Sequence, residues 1–262
     1  MSERSDQDRV IDLSVEVPGT PEEVWRAIAT GPGITSWFVP HEVDEHEGGG
    51  VRMDFGAGFG EESARVAAWE PPHRLLLQGN GERALAFEWL VQARAGGSCI
   101  VRLVSTGFGP GEDWDAEYHG MSEGWRLFLE NLRLHLTHFP GQRARAVIPT
   151  STVLGTRDSA FEAICAALGV PADLAAGDRF DASTPGSPPL AGRVASAVTT
   201  AGTRAYHVVL DAPAPGTALL GAELAGDQVA LSLWLYLYGP DASGLPDAWS
   251  PFLAALGNQL AS

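Results

Sequence analysis

Seven histidines, two cysteines and one Gly-rich segment are the first places to look for chemistry in these 262 residues. His135 and His138 stand three apart near the end of a helical pattern, close enough to share a helix face. No further metal ligand accompanies them, so they read as last-turn cations favoured by the helix dipole. His41 and His46 lie in an acidic turn, HEVDEHEGG, which reads as a solvated loop. Cys99 and Cys165 sit in apolar contexts without a CxxC, the usage of reduced thiols in a cytoplasmic protein. GAGFG, residues 56–60, falls between strand patterns and opens no helix, so it is a turn and not a phosphate cradle. GxSxG, HExxH and P-loop motifs are absent. His119 is the one imidazole beside an aromatic stripe. It falls on a different helix face from that stripe, the position of a structural or solvated histidine. No acid–base pair emerges, which weighs against an enzyme. No catalytic residue, metal ligand or cofactor is assigned.

The stripe that His119 flanks organises the chain. Trp114, Tyr118, Met121, Trp125, Phe128, Leu129, Leu132, Leu136 and Phe139 recur at steps of three, four and seven. On a 3.6-residue helix they form one apolar face. The N-terminal end of that face is aromatic and carries two glycines, Gly120 and Gly124; the C-terminal end is leucine. Leucines suit a packed core. The aromatic front suits either core or the lid of a cavity.

The elements that must position this helix read as an α+β arrangement. Val10 to Val17 alternates as a half-buried strand. Pro18 and Gly19 end it, and Thr20 with Glu23 forms a capping box for PEEVWRAIAT. Gly31-Pro32-Gly33 stops that helix, and a short turn presents Ile34, Trp37 and Phe38. A meander follows. Val51, Met53 and Phe55 share one face; Glu61–Glu70, His73–Gln78, Arg83–Arg94 and Ser98–Thr106 are the next strands, with tight turns implying antiparallel pairing. One sheet with one helix laid across it is a two-layer domain.

The run VEVPGTPEEVWRAIATGPGITSWF, then VAAWEPPHRLLLQ, STGFG and HGMSEGWRLFLENL, resembles the SRPBCC superfamily over about residues 10–140. Within it the chain is most similar to the group named after the C-terminal domain of the activator of Hsp90 ATPase. The resemblance implies a helix-grip fold, a curved antiparallel sheet wrapped around a long C-terminal helix, commonly with an apolar cavity between them. Members of the superfamily carry lipids, bind hormones, cyclise polyketides or contact chaperones, so the motifs are specific for fold and not for function.

The second half repeats the first. WSPFLAALGNQL from Trp249 matches WRLFLENLRLHL from Trp125 at Trp249, Phe252, Leu253, Leu256 and Leu260. AGDQVALSLWLYLYGP aligns without a gap to AGGSCIVRLVSTGFGP, and SAFEAICAAL resembles EVWRAIAT with Phe161 for Trp25 and Ile164 for Ile28. Three elements in one order indicate duplication. The reading is therefore residues 1–9 as a disordered N-terminus, 10–140 as a helix-grip domain, 141–150 as a linker, and 151–262 as a second, diverged copy. The second copy has eight residues between Pro240 and Trp249 where the first has fourteen between Pro110 and Trp125, so it lacks the aromatic front. DRFDASTPGSPP is a loop or irregular edge. Val229 to Tyr238 is apolar on both faces, which implies that something packs on its back, the first domain being the obvious candidate. Leu127 and Leu134, opposite the main stripe, are either its partners or two surface leucines.

Charge narrows the partners. All 17 basic residues are Arg, and the net charge is −16. Residues 1–149 carry 13 Arg against 23 acidic residues, and the remainder 4 against 10. Neither half suits nucleic acid or an anionic membrane surface. No window approaches 18 uninterrupted apolar residues and the N-terminus lacks an apolar leader, so neither a span nor a signal peptide is expected.

The expected site is the first-domain cavity, lined by Trp37, Phe38, Met53, Phe55, Phe87, Trp89, Leu103, Trp114, Tyr118, Met121 and Trp125, with Ser105, Tyr118, His119 and the indole N–H groups as polar members. A mainly apolar pocket of this kind suits a hydrophobic or aromatic small molecule. Three functions stay open: a cytoplasmic non-catalytic binding protein, a chaperone-activator-type module with a protein partner, and a polyketide-cyclase or hydrolase-like enzyme.

Overall fold

The computed structural model describes residues 9–56, 60–81, 84–245 and 247–260. Ala57–Phe59 of the GAGFG turn lie outside them, as does Arg83. By contact the chain divides into two units: residues 1–34, 40–54 and 61–141 form the first, and residues 35–39, 55–60 and 142–262 the second.

The first unit is one antiparallel sheet with helices. Its strands are β1 (Ile11–Pro18), β2 (His41–Val43), β3 (Gly50–Asp54), β4 (Glu61–Glu70), β5 (Arg74–Gly79), β6 (Ala86–Arg94) and β7 (Ser98–Thr106), in the sheet order β1-β7-β6-β5-β4-β3-β2. Between β1 and β2 come α1 (Pro21–Ala29) and α2, Gly31–Thr35; after β7 comes α3 (Glu112–His138). The first strand thus pairs with the last, Ile11 opposite Ser105 and Leu13 opposite Leu103. Alternation works as the pleat requires: Cys99, Val101, Leu103 and Ser105 of β7 are buried, and so are Leu75 and Leu77 of β5.

The capping box of α1 is present, Glu23 N donating to Thr20 Oγ1 at 3.3 Å and Thr20 N to Glu23 Oε2 at 2.8 Å. Gly-Pro-Gly ends α1 but also starts α2. The Thr30 hydroxyl accepts from Gly33 N at 3.1 Å, and Gly33 runs so close to the Arg26 carbonyl that a Cβ would lie 1.9 Å from it. The segment HEV, expected as loop, is an edge strand held by its register with β3. Leu127 and Leu134 are 3 % and 2 % exposed, so they are not surface leucines.

The second unit repeats this plan. Its strands are β8 (Arg145–Val147), β9 (Thr150–Val153), β10 (Arg179–Ala182), β11 (Leu190–Thr199), β12 (Thr203–Ala212), β13 (Gly216–Ala225) and β14 (Gln228–Leu237), ordered β10-β11-β12-β13-β14-β8, with β9 also on β14. The helix α4 (Arg157–Leu168) follows the opening strands, and α5 (Trp249–Leu260) closes the chain. Opening strands again pair with the closing strand, and a helix again follows each. β8 falls within 141–150, the stretch read as linker. The core joins Phe161, Ile164 and Cys165 of α4 to Leu231, Leu233 and Leu235 of β14 and to Trp249 and Leu253 of α5. The matched Leu260, however, is exposed, so α5 grips over a shorter length than α3.

Both faces of β14 are covered. Leu231, Leu233 and Leu235 are buried on one face, Tyr236 on the other, and Tyr238 just beyond the strand. Part of the cover comes from the Thr35–Val39 segment. The Tyr238 hydroxyl donates to the Ser36 carbonyl at 2.8 Å, and Ala144 N donates to Ser36 Oγ at 2.9 Å.

Candidate binding site

Burial changes along α3. Its rear is sealed: Leu127, Leu129, Leu132, Leu134 and Leu136 are all at most 4 % exposed. Its front is not. Trp114, Tyr118, Met121, Gly124 and Phe128 are half-buried. A side chain that is apolar and only half covered still has surface to remove from water.

Six of the residues expected from sequence meet where the front joins the sheet. Trp125 packs edge-on against Trp89, with ring centroids 5.4 Å apart, and tilted against Phe87 at 5.8 Å. Such geometries suit the ring quadrupoles. Strand register places Leu103 beside Trp89 and Ser105 beside Phe87. Ser105 is fully buried, and its hydroxyl faces Met121 Sδ at 4.0 Å. Phe87 and Met121 remain half-buried within this cluster. The cluster thus sets one hydroxyl among aromatic rings and a thioether.

Trp114 and Tyr118 join through a residue that sequence reasoning missed. Phe108 stands edge-on to Tyr118 at 5.3 Å and to Trp114 at 6.1 Å. The available signal was its place between Gly107 and Gly109. A Cβ on Gly109 would come within 2.4 Å of the Trp114 indole nitrogen, so only glycine lets the ring approach. Residues preceding β1 tie this front down. The Tyr118 hydroxyl donates to the Val10 carbonyl at 3.3 Å, and the Arg9 guanidinium binds both the Gly109 carbonyl and the Asp115 carboxylate.

The remaining candidates have neighbours of their own. His119 is exposed, its ring edge-on to Tyr118 at 5.5 Å. Met53, on β3, is opposite His41 and Glu62 near the far edge of the sheet. Trp37, Phe38 and Phe55 belong to the second unit, where Trp37 stacks on Phe38 at 5.8 Å and Phe55 meets Phe38 edge-on at 5.9 Å.

His135 corrects the reading of a last-turn cation. It is 2 % exposed, and burial pushes its pKa down to about 4, so it is neutral at pH 7. His138 stays exposed. In the acidic turn, Asp44 Oδ2 accepts from Gly50 N at 3.1 Å, so that carboxylate organises the loop itself. Among the described residues no group of three or more His, Cys, Asp or Glu is placed to hold a metal.

Both cysteines are free and buried. Burial pushes the Cys165 thiol up to about 12, and raises that of Cys99, whose thiol donates to the Gly19 carbonyl at 3.4 Å. Since the thiolate is the reactive form, neither should react with a disulfide reagent at pH 8 while the protein is folded. Both should titrate promptly in denaturant. Fast labelling of the native protein would contradict this burial.

The second unit carries an open cleft of about 750 Å³ between the Pro185–Pro188 loop, the end of α4 and one face of α5. Its lining is mainly apolar, with Pro188, Pro251, Phe252 and Leu256 among it.

Residues 18–137 match the family model of "Activator of Hsp90 ATPase homolog 1-like protein". The chain is 28 % identical over 115 residues to the uncharacterized protein Rv1546 of Mycobacterium tuberculosis strain H37Rv, covering 38 % of this chain and 80 % of that one. Two solved structures are similar over nearly the whole length. One is DynU16, from the dynemicin biosynthetic locus, at 18 % identity and TM-score 0.45, covering 97 % of this chain and 96 % of that one. The other is the di-domain ARO/CYC BexL from the BE-7585A biosynthetic pathway, at 14 % identity and TM-score 0.47, covering 97 % and 99 %. Among the described residues no helix is long and apolar enough to cross a membrane.

Proposed function

Residues 18–137 of this chain belong to the family of Activator of Hsp90 ATPase homolog 1-like proteins, and from that premise we propose that the chain is a cytoplasmic, non-catalytic binding protein for a hydrophobic or aromatic small molecule. The ligand sits in the first unit, between the front of α3 and the inward face of β6 and β7.

The observation that carries this reading is the change of burial along one helix. The leucines of the rear are sealed, while Met121, Phe128 and the facing Phe87 are left half-covered. A molecule with a flat apolar face would complete the coverage of Phe87 and Met121, at about 25 cal/mol for each Å² of apolar surface removed from water. The chemistry of the lining supports a binder over an enzyme, because a hydroxyl and a thioether offer neither an acid–base pair nor an activated nucleophile. Two buried free thiols are consistent with a reducing compartment.

Native mass spectrometry of the purified protein tests the reading. A bound apolar species, or one-to-one uptake of an added naphthalene, is the expected result. Protein that remains ligand-free across a panel of aromatic and aliphatic probes, and whose tryptophan emission they leave unchanged, would remove it.

A further inference from the structure

We infer that the ligand of the first-unit site carries an oxygen acceptor, a carbonyl or ether oxygen attached to a flat aromatic body, and that the Ser105 hydroxyl donates to it. The inference rests on the binding reading above and adds the chemical class to it.

Three features of Ser105 carry it. The residue is 0 % exposed, in the middle of the row Ile11–Ser105–Phe87 that crosses the paired strands β1, β7 and β6. Its neighbours in that row are apolar, so the hydroxyl receives no help from them. Its acceptor is Met121 Sδ at 4.0 Å, the outer limit for a sulfur contact. A thioether is a weak acceptor, and a buried hydroxyl left without a good partner costs free energy. The free protein thus keeps a donor in an apolar place, under a methionine that is half-buried and flexible enough to move aside. A ligand oxygen would replace the thioether with a far better acceptor, and the lost contact would cost little.

The rings around Ser105 set the shape of the ligand. Trp125 stands between Trp89 and Phe87, with ring centroids 5.4 Å and 5.8 Å from its own, and such ring edges and faces favour a planar aromatic over a branched aliphatic. Discrimination follows the rule that a site built around a hydroxyl penalises an analogue without the matching oxygen.

Two isosteres provide the test: 2-acetylnaphthalene and 2-isopropenylnaphthalene, which differ in a carbonyl oxygen against a methylene. Full-length protein is titrated with each, reading tryptophan emission, alongside Ser105→Ala and Ser105→Thr. The expected result is roughly five- to tenfold tighter binding of the ketone by the wild type, the worth of one ordinary hydrogen bond. Ser105→Ala should bind both probes equally, at the wild-type affinity for the hydrocarbon. Ser105→Thr should restore part of the preference. A second readout is independent of any ligand: Ser105→Ala should melt at or above the wild-type temperature, because it removes a poorly partnered buried hydroxyl. Equal binding of the two probes by the wild type, with both bound, overturns the role of Ser105 and leaves the pocket reading standing. Binding of neither probe overturns both. A ketone preference that survives in Ser105→Ala assigns the donor elsewhere and also overturns the inference.

Discussion

Replacing Leu132 by Ala is expected to destabilise the first unit by about 2–5 kcal/mol, the range for a large aliphatic side chain removed from a sealed core. Leu132 is 0 % exposed, and its neighbours on the rear of α3 are nearly as well covered. The same truncation at the front, Met121→Ala, should cost about 1 kcal/mol or less, since Met121 is half-buried and flexible. Denaturant unfolding of both variants, followed by tryptophan emission and far-ultraviolet circular dichroism, checks the contrast. Equal losses would mean that the front is packed like the rear and that the helix is core throughout.

Acidification should expose the second large effect. His135 is held neutral by burial, with its pKa at about 4 against an ordinary value of 6.5. Between these values the unfolded chain binds a proton that the folded chain refuses. Stability therefore falls as pH drops from about 6.5 to about 4, and levels off below that, once both states are protonated. The full difference corresponds to roughly 3 kcal/mol for the first unit. Midpoints of denaturant unfolding measured from pH 7 to pH 4 should fall accordingly. In His135→Leu this part of the slope should disappear. An unchanged slope in that variant would place the acid sensitivity in other groups.

Much of the architecture was legible because its signals are local. Thr20 and Glu23 mark the start of α1 through contacts three residues apart. Strands β4 and β7 begin and end at the expected residues because glycine and proline pairs punctuate them. The matched Trp125 and Trp249 helices, each following a strand that pairs with its unit's opening strands, show the two copies that the repeat implied.

What was missed depends on distant partners. The three residues of β2 have no periodicity of their own and exist as a strand only through β3. The Thr35–Val39 segment joins the second unit through Tyr238, some 200 residues away, and no local pattern announces that. Phe108 lies in a glycine loop, where alternation ends and with it the inward–outward rule. The burial of His135 was partly readable, because it stands three residues after Leu132 and four before Phe139. A polar residue on that stripe was assigned to the surface by its type alone.

Tryptophan indole N–H resonances offer the most direct test of the binding site, because the eight tryptophans are spread over both units. Trp89 and Trp125 line the cluster; Trp234 and Trp249 belong to the second unit. In a two-dimensional nitrogen–proton titration with 2-acetylnaphthalene, assigned by single Trp→Phe variants, the signals of Trp89 and Trp125 should shift saturably at one-to-one stoichiometry. Those of Trp234 and Trp249 should stay in place. Movement of the second-unit signals alone, or of none, would contradict a ligand site at the front of α3.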